Sequence, residues 1–176
     1  NFIKSLQWVP RVKQEQRSSL ESMAQEDGFT NFKFTALNKN STIIPAPSKN
    51  EYFPIYYMEP LIGNEPYLGF DISTQPILLT LMNQARDTGQ TVAITSTDLI
   101  YKDKKTRLMM FICPFYEGQS IPRNIEDRRR LFSGSAIGTY KIQDIIKEII
   151  APYIVPGMFL TIFDYERKNK LYGNLK

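Results

Sequence analysis

The sequence predicts an α+β fold built on an antiparallel sheet. Three observations predict it. Strand-like runs outnumber helical ones, and successive strands follow each other through short turns, as hairpins do. The helical segments are few and amphipathic, so they suit layers laid on one side of a sheet. At 176 residues the chain is one domain or two small subdomains. Hydrophobic residues are 42% and charged residues 23%, ordinary for a globular fold.

Lys4 to Val9 reads as an extended strand ending at Pro10, with Trp8 buried. Val12 to Gln25 reads as a helix, stopped by Asp27-Gly28. Phe29 to Leu37 alternates, with Phe32, Phe34 and Ala36 on one face, and predicts a half-buried strand. Asn38 to Asn50 reads as loop. Tyr52 to Met58 is the next strand candidate, followed by turns at Pro60, Gly63, Asn64 and Pro66. Ser73-Thr74-Gln75-Pro76 reads as a helix start, with a hydroxyl cap and then proline in the first turn. Leu78, Leu81, Met82 and Ala85 continue it at helical spacing to the stop at Gly89.

Thr91 to Ile100 and Leu108 to Tyr116 predict a hairpin around the charged turn Lys102 to Thr106. The second strand is nearly continuous in apolar residues and so belongs inside a sheet. Glu117 to Ile125 reads as loop, and Arg130 to Tyr140 as a strand. There Gly134 and Gly138 permit close approach of a ligand or another backbone. Ile142, Ile145, Ile146, Ile149 and Ile150 fall on one face of a helix that Pro152 ends. A terminal hairpin runs from Phe159 to Tyr172. The boundary falls at the isoleucine helix. Residues 1–140 form one complete sheet unit, and 141–176 hold the connecting helix and the start of a second.

Composition removes several functions. The chain has no histidine, the commonest general base and zinc ligand. It carries no Gly-rich phosphate loop, no Cys-x-x-Cys pair and no Asp-rich calcium loop. No cofactor and no metal are expected. Basic residues total 22 and acidic 18, and the basic groups at Lys102–Arg107 and Arg128–Arg130 are interrupted or preceded by acids, which describes solvated faces rather than a nucleic-acid stripe. Cys113 lies in the apolar strand and is expected to be a buried structural thiol. No apolar run approaches the ~20 residues of a membrane span. The chain opens on Asn1 rather than methionine, as a piece of a longer protein does.

The stretch Tyr52 to Asp71 organises the rest. Gly69-Phe70-Asp71 places a carboxylate at the mouth of the following helix, where the positive end favours it. Beside several tyrosines, Asp71 suits a hydrogen-bonding ligand. A capping role is equally open from the residues alone.

The same residues resemble the CHASE family, the extracytoplasmic sensory module of membrane histidine kinases and nucleotide cyclases, carried by plant cytokinin receptors. The resemblance starts at Leu6-Gln-Trp-Val-Pro-Arg-Val12 and Arg17. Its most recognisable block is Tyr52-x-Pro54, Tyr57, Pro60, Asn64 and Gly69-Phe-Asp71. Ala85, Gly89, Thr95, Leu99, Pro114-x-Tyr116, Leu131-x-x-Gly134 and Gly138 continue it. The resemblance implies two PAS-like subdomains on an N-terminal stalk helix, the distal one ligand-binding and the proximal one relaying. It also implies that Asp71 meets the ligand. Two departures stand out. Family members often carry a basic residue early in the helix after that Asp, where this chain has Ile77, Leu78 and Leu79. The stalk and much of the proximal subdomain lie outside this chain.

The expected function is therefore an extracytoplasmic sensor of a small molecule or peptide. Its parent is a membrane-tethered homodimer with a kinase or diguanylate cyclase output, and the segment alone is a monomer. Asp71, Tyr57, Thr95 and Tyr116 are expected to line one cavity, with Tyr56 or Thr97 as the alternatives of opposite strand parity. Asp71→Ala is expected to weaken binding with the fold intact. Two other readings are an acid–base enzyme using Asp71, and a protein-binding module with no small-molecule pocket.

Overall fold

The computed structural model describes residues 2–38, 40, 42–96, 107–118, 120–163 and 170–173. Its main sheet has five antiparallel strands, so the α+β, PAS-like expectation holds. Those strands are β1 (Ile3–Pro10), β6 (Tyr57–Glu59), β7 (Val92–Ser96), β8 (Leu108–Tyr116) and β9 (Phe132–Lys141), in the order β6-β1-β9-β8-β7. Two-stranded ladders join β2 (Val12–Lys13) to β5 (Glu51–Tyr52), β3 (Thr35–Leu37) to β4 (Ile43–Pro45), and β10 (Thr161–Phe163) to β11 (Lys170–Gly173). The helices are α1 (Arg17–Glu26), α2 (Pro76–Thr88), α3 (Ile125–Leu131) and α4 (Ile142–Ile145). Among the described residues no helix is long and apolar enough to cross a membrane.

The chain divides into two compact units. The larger holds Ser5–Val92 and Phe111–Gly138, and the smaller holds Asn1–Lys4, Ala93–Met110 and Thr139–Lys176.

Within the larger unit, β1 alternates as a half-buried strand does, burying Ser5, Gln7 and Val9. This parity corrects one expectation. Trp8 stands on the opposite, half-buried face, edge-on to Phe115 at 5.5 Å. Strand β8 repeats the rule: Met110, Ile112 and Pro114 are buried, and Cys113 shares the half-buried face of Trp8's partner Phe115. Cys113 is therefore less enclosed than a continuous apolar run suggests. Gly134 allows β9 to press on β1, because a Cβ there would lie 2.4 Å from the Val9 carbonyl oxygen.

Helix α2 forms as its spacing predicts, burying Leu78, Met82 and Ala85. Gly89 ends it in the left-handed conformation (φ 72°), its N–H donating to the Ala85 carbonyl. Its cap differs from the expected one. Gln75 precedes Pro76 without a side-chain bond, and Asp71 instead caps a short 3₁₀ turn at Ile72–Thr74. Helix α3 occupies the interval between the loop expected to end at Ile125 and the strand expected to start at Arg130. Asn124 caps it by accepting from the Asp127 N–H at 2.8 Å, with acids in the first turn and Arg128–Arg130 in the last.

Other expected elements are shorter. The helix at Val12 starts as a strand and becomes α-helical only at Arg17. Phe32 and Phe34 are buried as the alternation requires, but the ladder begins only at Thr35. Pro54 breaks the expected Tyr52–Met58 strand, so that β5 pairs with β2 and β6 pairs with β1. Ile43–Pro45, expected as loop, pairs with β3. In the smaller unit the isoleucine helix buries Ile142 and Ile146, then widens to a π turn over Ile146–Ile150.

The α1 layer is tied down by one carboxylate. Glu21, 8% exposed, accepts from the Phe34 N–H (2.9 Å), Arg17 (3.0 Å) and Lys33 (3.3 Å). Burial pushes its carboxyl up, but the Phe34 N–H and the two cations outweigh that and hold it below the usual range. A group depressed in this way stabilises the fold above its unfolded value of about 4.3 and stops doing so as pH falls through the lower folded value. Glu21→Gln is therefore expected to shrink the loss of stability between about pH 6 and pH 3 in urea unfolding. An unchanged loss counts against this anchoring role.

Candidate functional site

Asp71 sits in a backbone clamp. On one side the Thr35 N–H donates to the Gly69 carbonyl, and the Asp71 N–H donates to the Thr35 carbonyl, both at 2.9 Å. On the other, Gly69 N–H meets the Ile55 carbonyl (2.8 Å), Ile55 N–H meets Phe70 (3.0 Å) and Ile72 N–H meets Phe53 (3.0 Å). Gly69 makes the clamp possible. Its φ is +76°, and a Cβ there would lie 2.0 Å from the Lys33 carbonyl oxygen.

The side chain is fully buried. Its Oδ1 accepts from the Phe53 N–H (3.1 Å), the Ser73 N–H (3.1 Å) and the Ser73 hydroxyl (2.7 Å). Lys49 Nζ forms an ion pair with Oδ2. Lys49 also donates to Ser73 Oγ at 2.5 Å. The capping role thus falls to Oδ1, and Oδ2 turns to Lys49.

The other predicted residues stand as follows. Tyr116 donates its hydroxyl to the Arg86 carbonyl (2.5 Å) and packs edge-on to Phe132 at 6.1 Å. Burial raises its pKa. Phe132 in turn packs on Phe53 at 6.1 Å, and Phe53 is the residue whose N–H reaches Asp71. Asp71 and Tyr116 are therefore linked through two phenylalanines. Tyr57 lies opposite Trp8 on the edge strand β6 and is 50% exposed. Its neighbour Tyr56 packs on Phe32 (5.7 Å) and donates to Asp27 (3.0 Å). Burial first, and then Asp27, raises the Tyr56 pKa. Thr95 belongs to β7 in the smaller unit and is half-buried. Thr97 lies outside the described residues. The polar groups that reach Asp71 come from Lys49, Phe53 and Ser73. Sequence reasoning missed Lys49, which is 24 residues from Ser73 in a loop with no local pattern.

Two further features are weaker candidates. A pocket of about 260 Å³ is lined by Pro76, Ile77, Thr80 and Leu81 on α2. Its one hydroxyl, on Thr80, already donates to the Pro76 carbonyl at 2.9 Å, so it offers little to a polar ligand. Asp87 gathers Arg129 (2.5 Å) and Arg86 (2.7 Å), which hold its carboxyl well below the usual range. Arg128 adds a bond to the Asp87 carbonyl (2.8 Å), so this cluster fastens α3 to the end of α2. Among the described residues no group of three or more His, Cys, Asp or Glu side chains could hold a metal ion.

The five-stranded antiparallel sheet with its helices is that of an α+β, PAS-like fold. The CHASE domain model matches residues 1–172, and the chain belongs to the CHASE family. It is 26% identical over 145 residues to hybrid signal transduction histidine kinase A of Dictyostelium discoideum. That match covers 76% of this chain and 6% of the relative.

Proposed function

We propose that this CHASE domain senses a small-molecule or peptide ligand outside the cytoplasm and passes the signal across a membrane to a histidine kinase or diguanylate cyclase output. Asp71 is the residue that reads the ligand. The observation that carries this reading is the Asp71 carboxylate, fully buried, with its Oδ2 held by Lys49, whose side chain is 31% exposed and can give way to a ligand. An ionised carboxylate only accepts, so a group that takes the place of Lys49 there must be a donor. The family match and the kinase relative support the sensory role.

Tyr116 contributes aromatic area behind Asp71 through Phe53 and Phe132, and Tyr57 is a further proposed ligand contact. Residues 1–140 take the ligand as the distal part, and 141–176 begin the proximal relay. The parent protein is a homodimer, and this segment alone is monomeric.

The test is a thermal-shift screen of the domain against adenine derivatives, amino acids, short peptides and organic acids. A ligand that binds only the folded state raises the melting temperature with concentration. A saturable rise in one class is expected. A flat response across all four favours a protein-docking module instead.

A further inference from the structure

We propose that Asp71 Oδ2, Ser73 Oγ and the ring of Tyr52 form an ammonium cage that Lys49 fills in the free protein. The ligand then enters by replacing Lys49 with an ammonium group of its own. This deepens the reading of Asp71 as the ligand-reading carboxylate and rests on it.

The three walls are those a primary ammonium needs. Asp71 supplies the charge, as an ion pair to Oδ2. Ser73 supplies a neutral acceptor, 2.5 Å from Lys49 Nζ. Tyr52 supplies an aromatic face, with Lys49 Nζ 5.2 Å from the ring centroid, inside the range of a cation–π contact. Asp71 and Tyr52 are both fully buried. Arg17 also meets the Tyr52 ring at 5.1 Å, but Glu21 and the Ala46 carbonyl hold that guanidinium in place.

Lys49 is the movable member. Its side chain is 31% exposed, so it has a way out to water. Its backbone does not need to follow. The Lys49 N–H donates to the Tyr52 hydroxyl (3.0 Å), and its loop is pinned by Ala46 N–H to Phe34 (2.9 Å) and Gln14 N–H to Asn50 (3.0 Å). A change of side-chain rotamer empties the cage.

Charge then selects the ligand class. A neutral donor that displaced Lys49 would leave the Asp71 charge buried without its counterion, which is strongly unfavourable. A slim primary ammonium restores the same pairing. An anionic ligand would instead leave Lys49 in place and bind its outer side.

Lys49→Ala removes the occupant and leaves a space the size of n-propylammonium. Melting curves of this variant in n-propylammonium chloride are expected to rise saturably, by about 3–6 °C at ~100 mM for a site of ~10 mM affinity. Potassium chloride at equal ionic strength, and n-propanol, are expected to give no such rise. Neither should the parent, whose cage is full, nor Lys49→Met, whose cage is filled by an uncharged stem, nor the double variant Lys49→Ala/Asp71→Asn. A flat curve for Lys49→Ala, or an equal rise in the double variant, overturns the proposal. If Lys49→Ala does not fold in potassium chloride, folding in n-propylammonium chloride supports the cage, and failure in both salts overturns it. The experiment needs no natural ligand, so the cage can fail while the screen still finds a neutral ligand, and the reverse.

Discussion

Gly69→Ala is expected to destabilise the domain by about 2–5 kcal/mol, or to prevent folding. Two effects add. A side chain in the left-handed region costs roughly 1–2 kcal/mol, and forced overpacking costs roughly 1–3 kcal/mol more. The obstacle is backbone: the added Cβ would lie 2.0 Å from the Lys33 carbonyl oxygen and 2.9 Å from its carbon. Relief requires moving the segment that holds the Thr35–Gly69 and Asp71–Thr35 hydrogen bonds. Gly63→Ala is the control. Gly63 also has positive φ, +81°, but nothing lies within 4 Å of its Cβ position. Its loss is expected to stay near 1–2 kcal/mol. Equal losses for the two variants in urea unfolding would contradict the clamp.

Asp71→Ala is the second large effect, about 3–5 kcal/mol. Truncation strands the Phe53 N–H and both Ser73 donors and removes the counterion of Lys49. Each buried donor left without its acceptor typically costs about 1–3 kcal/mol, and three donors lose theirs. Lys49 can turn to solvent, so the larger share comes from the buried Phe53 N–H, whose residue is only 3% exposed. The earlier expectation of an intact fold therefore needs a gentler substitution. Asp71→Asn keeps an oxygen where Oδ1 accepts and loses chiefly the charge. Its loss is expected to be about 1–2 kcal/mol. An Asp71→Ala variant within about 0.5 kcal/mol of the parent would show that the carboxylate does not staple this turn.

Local patterns were legible and long-range partners were not. Helix α2 was readable because Leu78, Met82 and Ala85 recur at helical spacing and Gly89 needs its left-handed cap. Strand β8 was readable as an interior strand, although its alternation placed Cys113 on the less buried face. Trp8 went to the wrong face because hydrophobicity does not fix strand parity, and the inner face of β1 carries Ser5 and Gln7 instead. Helix α3 has two turns and buries no residue, so no apolar stripe announced it. Its signal lay in Asn124 and the order of its charges.

The candidate site divides in the same way. Asp71 was visible because a carboxylate after glycine, at a helix mouth, has local meaning. Lys49 and Tyr52 were not visible as its neighbours. The cage closes when the loop before β5 folds over Ser73, a contact across 24 residues that no spacing rule encodes.

The most direct measurement is a calorimetric titration of a compound returned by the screen into the parent and into Asp71→Asn. A charge-assisted hydrogen bond is worth roughly 1.5–3 kcal/mol, so the variant is predicted to bind about ten- to a hundredfold more weakly, with its unfolding transition still cooperative. Equal affinity in parent and variant would contradict the assignment of Asp71 as the ligand-reading residue.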